Sequence, residues 1–270
     1  ETDTIAGAKY AWASWQPDGK GFYYTHLPVD DSIPIADRPG FADIRHHVLG
    51  TDPKDDRIVH EKTGDPKTFI DAHVSRDGHY LFFNKYYGWT KNDVYFMDLR
   101  RHSDWQPLAV GMEAKFDAYA WKDAIYVHTD HPAPRWRMMK VEPTKPDLAN
   151  WKEIVPQHAQ AVMESYSVVG DHLVLRYLDK ASSRMEILTL AGKPVRSIDL
   201  PGIGSVEGPS GNPEDDNFYY AFHSYDTPTT IFESSIKKGG RETYFELEVP
   251  VDTSPYLVEQ QWFTSKDGTK

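Results

Sequence analysis

The 270-residue sequence has no cysteine, no long apolar run and a deficit of positive charge. The absence of cysteine excludes disulfide bonds, cysteine-ligated zinc and thiol catalysis. No stretch approaches the roughly 18 consecutive apolar residues of a membrane-spanning helix, so we expect no membrane partner. With 30 lysines and arginines against 41 aspartates and glutamates, the formal net charge is −11. This charge would repel a polyanion, which argues against nucleic acid as a partner.

Motifs of several enzyme classes are also missing. The Gly-x-Ser-x-Gly turn that exposes a nucleophilic serine does not occur. No glycine-rich loop follows a strand and opens a helix, so nucleotide binding is not predicted. His46 and His47 are adjacent on a predicted strand, so they point to opposite faces and do not share a metal. His128 and His131 lie beside a proline-rich segment and are interpreted as part of a hydrogen-bonded loop. The sequence therefore predicts no catalytic residue, metal or cofactor within this chain.

What the sequence does contain is a repeat of about 45–60 residues. An apolar strand, a turn built on Asp and Gly and a Tyr/Phe-rich strand are each time followed by a second hairpin with alternating apolar residues. Two hairpins make a four-stranded antiparallel sheet, which is one propeller blade. We therefore predict an all-β propeller with no helix longer than one turn. Its five four-stranded blades are predicted over residues 8–61, 68–110, 116–156, 162–201 and 206–249.

Two segments depart from the repeat. Residues 28–42 contain three prolines and several acids, which predicts a long loop that is either a mobile lid or an inert insertion. Residues 256–263 predict one more strand, after which 264–270 begin a turn. We therefore divide the chain into propeller blades over 1–255 and a strand with a junction over 256–270.

Aromatic side chains provide the candidate binding residues. Tyr86, Tyr87 and Trp89 cluster where a strong predicted strand ends. Most aromatic residues of a propeller pack between blades. A cluster at a strand end near the centre can instead line a ligand site, because aromatic rings supply large contact area with few rotatable bonds.

Five segments carry a family resemblance: SWQPDGKGFYY (14–24), HVLGT (47–51), WKEIVP (151–156), LPGIGS (200–205) and VEQQWFTSKDGTK (258–270). In this order they resemble the propeller of prolyl oligopeptidases (prolyl endopeptidases, serine peptidase S9 family), with the bacterial type as the better match. The resemblance covers essentially the whole chain, and the closing SKDGTK is its most specific part. In that family this motif stands where the propeller passes into an α/β-hydrolase domain.

The resemblance implies a seven-bladed propeller of which this chain matches the last five blades. It implies hydrolysis of short peptides on the C-terminal side of proline by a serine mechanism, with the catalytic triad on the hydrolase domain outside this chain. The propeller would cover the active site and exclude large folded substrates. The implied partners are short proline-containing peptides and the hydrolase domain of the same protein. Neither a cytoplasmic nor a periplasmic location is favoured.

The resemblance also implies two substrate contacts and a gating loop. An aromatic contact falls on Tyr10. A second contact, an arginine in the family, falls near Tyr86 or Tyr87, but residues 85–89 contain no arginine. Lys85 or Trp89 is the substitute there. Loop 28–42 matches a mobile loop at the domain interface of the family.

Two other interpretations stay open at this point. A free-standing five-bladed propeller would act as a binding module, since propellers of about four to eight blades exist. A glycan-active propeller would need a pair of carboxylates, and no pair stands out among the 41 acids. Five blades cut from a larger ring leave two terminal faces uncovered, with Trp12 and Trp15 at one and Phe245 and Leu247 at the other. We therefore predict that this chain alone is poorly stable or self-associates.

Overall fold

Five antiparallel sheets of four strands each make up the fold. The computed structural model describes residues 3–8, 11–253 and 255–269. Within each sheet the strands pair in chain order, so that every sheet is a simple meander. The five predicted blades are confirmed, each with its boundaries within a few residues of those expected from the repeat. The sequence pattern is sufficient here because turns and alternation are local properties of the chain.

The blades follow one another along the chain. The first two contain β1 (Ser14–Trp15), β2 (Gly21–His26), β3 (Asp43–Val48), β4 (Arg57–His60), β5 (Phe69–Val74), β6 (Tyr80–Tyr87), β7 (Lys91–Asp98) and β8 (Gln106–Ala109). The third contains β9 (Phe116–Trp121), β10 (Ala124–Thr129), β11 (Arg137–Val141) and β12 (Lys152–Val155). The last two contain β13 (Val162–Val169), β14 (His172–Asp179), β15 (Ser182–Thr189), β16 (Pro194–Ile198), β17 (Ser205–Gly211), β18 (Asn217–His223), β19 (Thr230–Ser235) and β20 (Glu242–Glu246). In the described part of the chain the helical elements are 3₁₀ turns at Arg38–Phe41, Pro53–Asp55 and Leu148–Asn150.

The Asp-Gly turns that define the repeat have the geometry that such hairpins require. Gly19 and Gly78 have φ values of +66° and +73°, in the left-handed region that glycine enters without strain. The preceding aspartates fasten the turns: Asp18 Oδ1 accepts from Lys20 N at 3.0 Å, and Asp77 Oδ1 accepts from His79 N at 3.1 Å. A side-chain acceptor followed by glycine is thus the local reason for the position of each turn.

The chain divides into two compact units, Glu1–Pro134 with Met138–Glu153 and Arg135–Arg137 with Ile154–Lys270. In the first unit one apolar layer joins blades one and two and a second layer joins blades two and three. In the second unit a single layer joins blades four and five. Several large aromatic side chains of these layers are almost fully buried: Phe82, Phe83 and Phe96 in the first unit, and Phe218, Tyr220 and Phe222 in the second.

Polar side chains also connect neighbouring blades inside each unit. In the first unit Thr25 Oγ1 donates to Ile70 O at 3.1 Å, and Asn92 Nδ2 donates to Phe116 O at 2.9 Å. In the second unit Ser165 Oγ donates to Gly208 O at 2.9 Å. Because each bond joins a side chain of one blade to the backbone of the next, it fixes the position of one sheet against its neighbour.

The long connection between β2 and β3 is ordered by its own side chains. Arg38 Nε donates to Ile33 O at 3.1 Å, and its Nη2 donates to Asp30 O at 3.3 Å. At the base of the loop, Gly64 N donates to Gly40 O at 2.8 Å, which joins the loop to the segment before β5. The long loop predicted at 28–42 is therefore present, and its role as a lid or an insertion stays a prediction.

The strand expected at 256–263 is not formed. No described residue beyond Glu246 belongs to a strand. A strand exists only with a ladder partner, and β20, the last strand, pairs with β19. The C-terminal segment instead contacts a loop of its own unit: Gln260 Nε2 donates to Lys180 O. The junction role of 256–270 stays a prediction.

Candidate functional site

The predicted aromatic cluster lies on one hairpin of blade two. Tyr86 and Tyr87 are the last residues of β6, and Trp89 lies in the short turn that leads into β7. Successive strand residues point to opposite faces, so the two tyrosines are divided between the two sides of the sheet. The structure therefore brings the three predicted side chains to one end of one blade without placing them in a single pocket.

Tyr86 is fixed by a carboxylate on the neighbouring strand. Its hydroxyl donates to Asp71 Oδ2 at 3.0 Å, and Asn84 Nδ2 donates to the other oxygen of Asp71 at 2.7 Å. Burial, followed by the negative charge of Asp71, raises the pKa of Tyr86 far above its usual range. The phenol therefore remains a hydrogen-bond donor, and this donor is already used within the blade.

Two lysine side chains lie near the ring of Tyr87 on the opposite face of the sheet. Lys85 Nζ and Lys91 Nζ lie 5.2 and 5.4 Å from the centre of its ring. The hydroxyl donates to Asp93 Oδ2 at 2.8 Å, and burial together with this bond raises the pKa of Tyr87 to about 12. Glu113 pairs with Lys91, so Lys85 supplies the less compensated charge. Ammonium groups at this distance from a ring are held by its quadrupole.

Trp89 is the exposed member of the cluster. Its side chain is 90% exposed, and Gly88 before it has a φ of +66° that turns the chain at the tip. Core packing does not account for an indole in this position. The exposed indole and the Lys85–Tyr87 pair lie at the same end of the hairpin, where the first can offer a ligand an apolar surface and the second a positive charge.

Other predicted residues are placed differently. Tyr10 lies outside the described residues. His46 and His47 point to opposite faces as predicted: His46 Nε2 lies 2.9 Å from Gln16 Oε1, and His47 Nδ1 lies 2.9 Å from Asp56 Oδ1. Across the described ranges, no three His, Asp or Glu side chains are grouped to hold a metal. Nor is any helix in that part of the chain long and apolar enough to cross a membrane.

Blade one also contains a buried polar network that the sequence does not predict. His47 and Asp56 are buried together, and Asp56 Oδ2 also accepts from the Tyr24 hydroxyl at 2.8 Å. Asp3 in the N-terminal segment approaches the other ring nitrogen of His47 at 3.6 Å. These residues come from four separate parts of the chain. The sequence offers one weak signal, the adjacent acids Asp55 and Asp56 before a strand.

Comparison with known proteins assigns the family. The sequence profile described as "Prolyl oligopeptidase, N-terminal beta-propeller domain" matches residues 1–246. This chain belongs to that family. The resemblance drawn from the five sequence segments is therefore confirmed.

Relatives of this prolyl oligopeptidase propeller include bacterial and fungal proteins. A prolyl endopeptidase of Elizabethkingia miricola is 30% identical over 99% of this chain, and the prolyl oligopeptidase ophP of Omphalotus olearius is 26% identical over 99%. The chain spans 38% and 37% of the lengths of these two relatives.

Solved structures show the same fold. One from a structural and mechanistic study of two prolyl endopeptidases has a TM-score of 0.94 at 47% identity, covering 100% of this chain and 40% of that one. Prolyl oligopeptidase B from Galerina marginata, bound to a 25mer macrocyclization substrate, has a TM-score of 0.87 at 19% identity, covering 98% of this chain and 38% of that one. At this lower identity the likeness concerns the fold alone.

Proposed function

We propose that this chain is the propeller portion of a prolyl endopeptidase that hydrolyses short peptides on the C-terminal side of proline. The catalytic serine, aspartate and histidine would belong to an α/β-hydrolase domain outside this sequence. The observation that carries the proposal is the family match over residues 1–246. It is supported by prolyl endopeptidase relatives that align with 99% of the chain while the chain spans 38% of their length.

Within such an enzyme the propeller acts by enclosure. Blades held to their neighbours by apolar layers and by side-chain-to-backbone bonds form stiff walls inside each unit. Walls beside a reacting centre keep out bulk water, which strengthens electrostatic stabilisation, and also keep out folded proteins. The blade-two hairpin with Tyr86, Tyr87 and Trp89 is the proposed peptide contact, because an exposed indole and a lysine held against Tyr87 lie at the same end of this blade.

The first test is a peptidase assay on the intact natural product of the gene. We expect cleavage of a proline chromogenic peptide, loss of activity with a serine-directed inhibitor, and no cleavage of a folded protein with exposed prolines. The mass of the active species should be well above the 30.9 kDa of this chain. A natural product of 30.9 kDa without hydrolysis would overturn the proposal in favour of a free-standing propeller that binds ligands.

Removal of the exposed indole tests the proposed contact. Trp89→Ala is expected to lower kcat/KM for a proline peptide by about 5- to 10-fold, mainly through KM, because such a contact supplies binding rather than chemistry. The melting temperature should not change, since the side chain is 90% exposed. The matched control is Tyr225→Ala in blade five, another fully exposed aromatic residue, which should leave kcat/KM unchanged. Equal kinetics for Trp89→Ala and the natural protein would remove Trp89 from the contact surface.

A further inference from the structure

The face of blade one that points away from blade two is partly covered by the N-terminal segment 3–8, while Trp15 on the same face stays 51% exposed. Register places Phe22 opposite His47 and Tyr24 opposite Arg45 on this face, while Tyr23 and Ile44 point into the layer shared with blade two. The segment touches both ends of this face. Gly50 N donates to Asp3 Oδ2 at 2.7 Å, and Leu27 N donates to Gly7 O at 2.7 Å.

The two contacts of the segment differ in chemistry. At Gly7 the bond joins backbone to backbone, and φ is +79° with Leu27 O only 2.0 Å from where a Cβ would stand. This contact depends on shape and not on charge. At Asp3 the contact is made by a carboxylate, which lies 3.6 Å from Nε2 of His47. The Asp3 end of the segment is therefore the end at which the contact depends on charge.

His47 stands between two carboxylates with no access to water. Its side chain is 0% exposed and that of Asp56 is 1% exposed. Nδ1 lies 2.9 Å from Asp56 Oδ1, an acceptor, so the hydrogen of a neutral ring belongs on Nδ1. Nε2 has no hydrogen-bond partner and faces Asp3. In a neutral ring Nε2 carries a lone pair. Two hydrogen-bond acceptors, Nε2 and the Asp3 carboxylate, would then face each other.

One proton between His47 Nε2 and Asp3 Oδ2 removes this conflict. If the proton is on the ring, the imidazolium makes a charge-assisted hydrogen bond to the carboxylate. If the proton is on the carboxyl group, it makes an ordinary hydrogen bond to Nε2. In both cases the repulsion between the two acceptors is removed. Among the described residues, the other charged or titratable groups around the imidazole are bonded to atoms other than Nε2. These groups are Tyr24 and Asp56, joined to each other, Asp43 and Arg45, also joined to each other, and His46, which faces Gln16.

We propose that His47 is a proton-operated latch that fastens segment 3–8 to the first blade. Docking of the segment takes up one proton, so docking is favoured at low pH and weakens as the pH rises. One proton changes the docking equilibrium by at most about tenfold per pH unit. The Gly7 contact does not titrate, so the segment loosens from its Asp3 end.

Hydrogen exchange of the intact protein at about pH 6 and about pH 8.5 tests the latch. Exchange rates are divided by the intrinsic rate at each pH to give protection factors. We expect the protection of the Gly50 amide, which donates to Asp3, to fall at least tenfold between the two values. Amides in the centre of β2 should keep their protection. A Gly50 protection factor that is equal at both pH values would overturn the proposal.

Two substitutions separate the latch from other pH effects. Asp3→Asn keeps an oxygen that can accept from Gly50 N but removes the negative charge that faces Nε2, so Gly50 protection should be independent of pH. Asp18→Asn is the matched control, an exposed turn carboxylate of the same blade that bonds to Lys20 N, and it should retain the natural pH dependence. If Gly50 protection still depended on pH in Asp3→Asn, another group would be titrating, and this result would contradict the latch. Because Asp3 lies at the surface end of the network, this variant is expected to fold.

Discussion

Replacement of Asp56 by alanine is expected to lower the free energy of unfolding by about 3–5 kcal/mol. The side chain of Asp56 is 1% exposed and serves both His47 Nδ1 at 2.9 Å and the Tyr24 hydroxyl at 2.8 Å. Burial and then the Asp56 bond raise the pKa of Tyr24 far above its usual range, so its hydroxyl stays a donor. Truncation leaves a buried imidazole and a buried hydroxyl without their shared acceptor. Urea-induced unfolding followed by circular dichroism measures the loss.

The adjacent residue provides the control for this substitution. Asp55 is exposed, and Asp55→Ala should change the free energy of unfolding by no more than about 0.5 kcal/mol. If Asp56→Ala lost less than about 1 kcal/mol, water would be reaching the network and the description of His47 as sealed between two carboxylates would be wrong.

The 270-residue chain expressed alone is expected to self-associate through blade five. All five residues of β20 are exposed, including Tyr244 at 67% and Phe245 at 50%. The outer strands of blades two and four instead bury residues against their neighbours, Leu108 and Ala109 in β8 and Ile198 in β16. An exposed strand with apolar residues on both faces is a template for pairing with another chain. Light scattering coupled to size-exclusion chromatography should show dimers or larger species at micromolar concentrations.

Positive charge on the exposed edge of blade five should prevent this self-association. The double substitution Phe245→Lys and Leu247→Lys is expected to give a monomer, because lysine at an open edge opposes pairing. Val195→Lys replaces an apolar residue of similar exposure on β16 and should not restore the monomer. A monodisperse, cooperatively melting monomer of the natural sequence would contradict this prediction. Blade one is a less favourable surface for association, because segment 3–8 partly covers the face that holds His47.

The sequence predicts the blades well because the signals are local. Asp18-Gly19 and Asp77-Gly78 locate two turns by the chemistry of adjacent residues, and alternation defines the strands around them. Residues 256–263 show the limit of this reasoning. Their composition suits a strand, but a strand needs a partner at its edge, and the composition of one segment says nothing about which partner is present.

The candidate site is predicted less completely for a similar reason. Period-two alternation is enough to divide Tyr86 and Tyr87 between two faces and His46 and His47 likewise. It does not show that Asp71, fifteen residues away, holds the Tyr86 hydroxyl. Nor does it show that Asp3 meets the Gly50 turn across 47 residues. These contacts depend on register and on the path of the chain between blades.

The hydrogen bonds that hold the loop between β2 and β3 determine where the chain can change in length. Arg38 closes the stem by bonding Ile33 O and Asp30 O, so the exposed tip at 34–37 is separated from the strands by a fixed base. The entropy of closing a loop rises only with the logarithm of its length, by about 0.6 kcal/mol for each doubling. Residues can therefore be inserted or deleted at this tip while Gly21–His26 and Asp43–Val48 keep their register. The loop of the first blade can thus become longer or shorter without a change in the sheet that carries it.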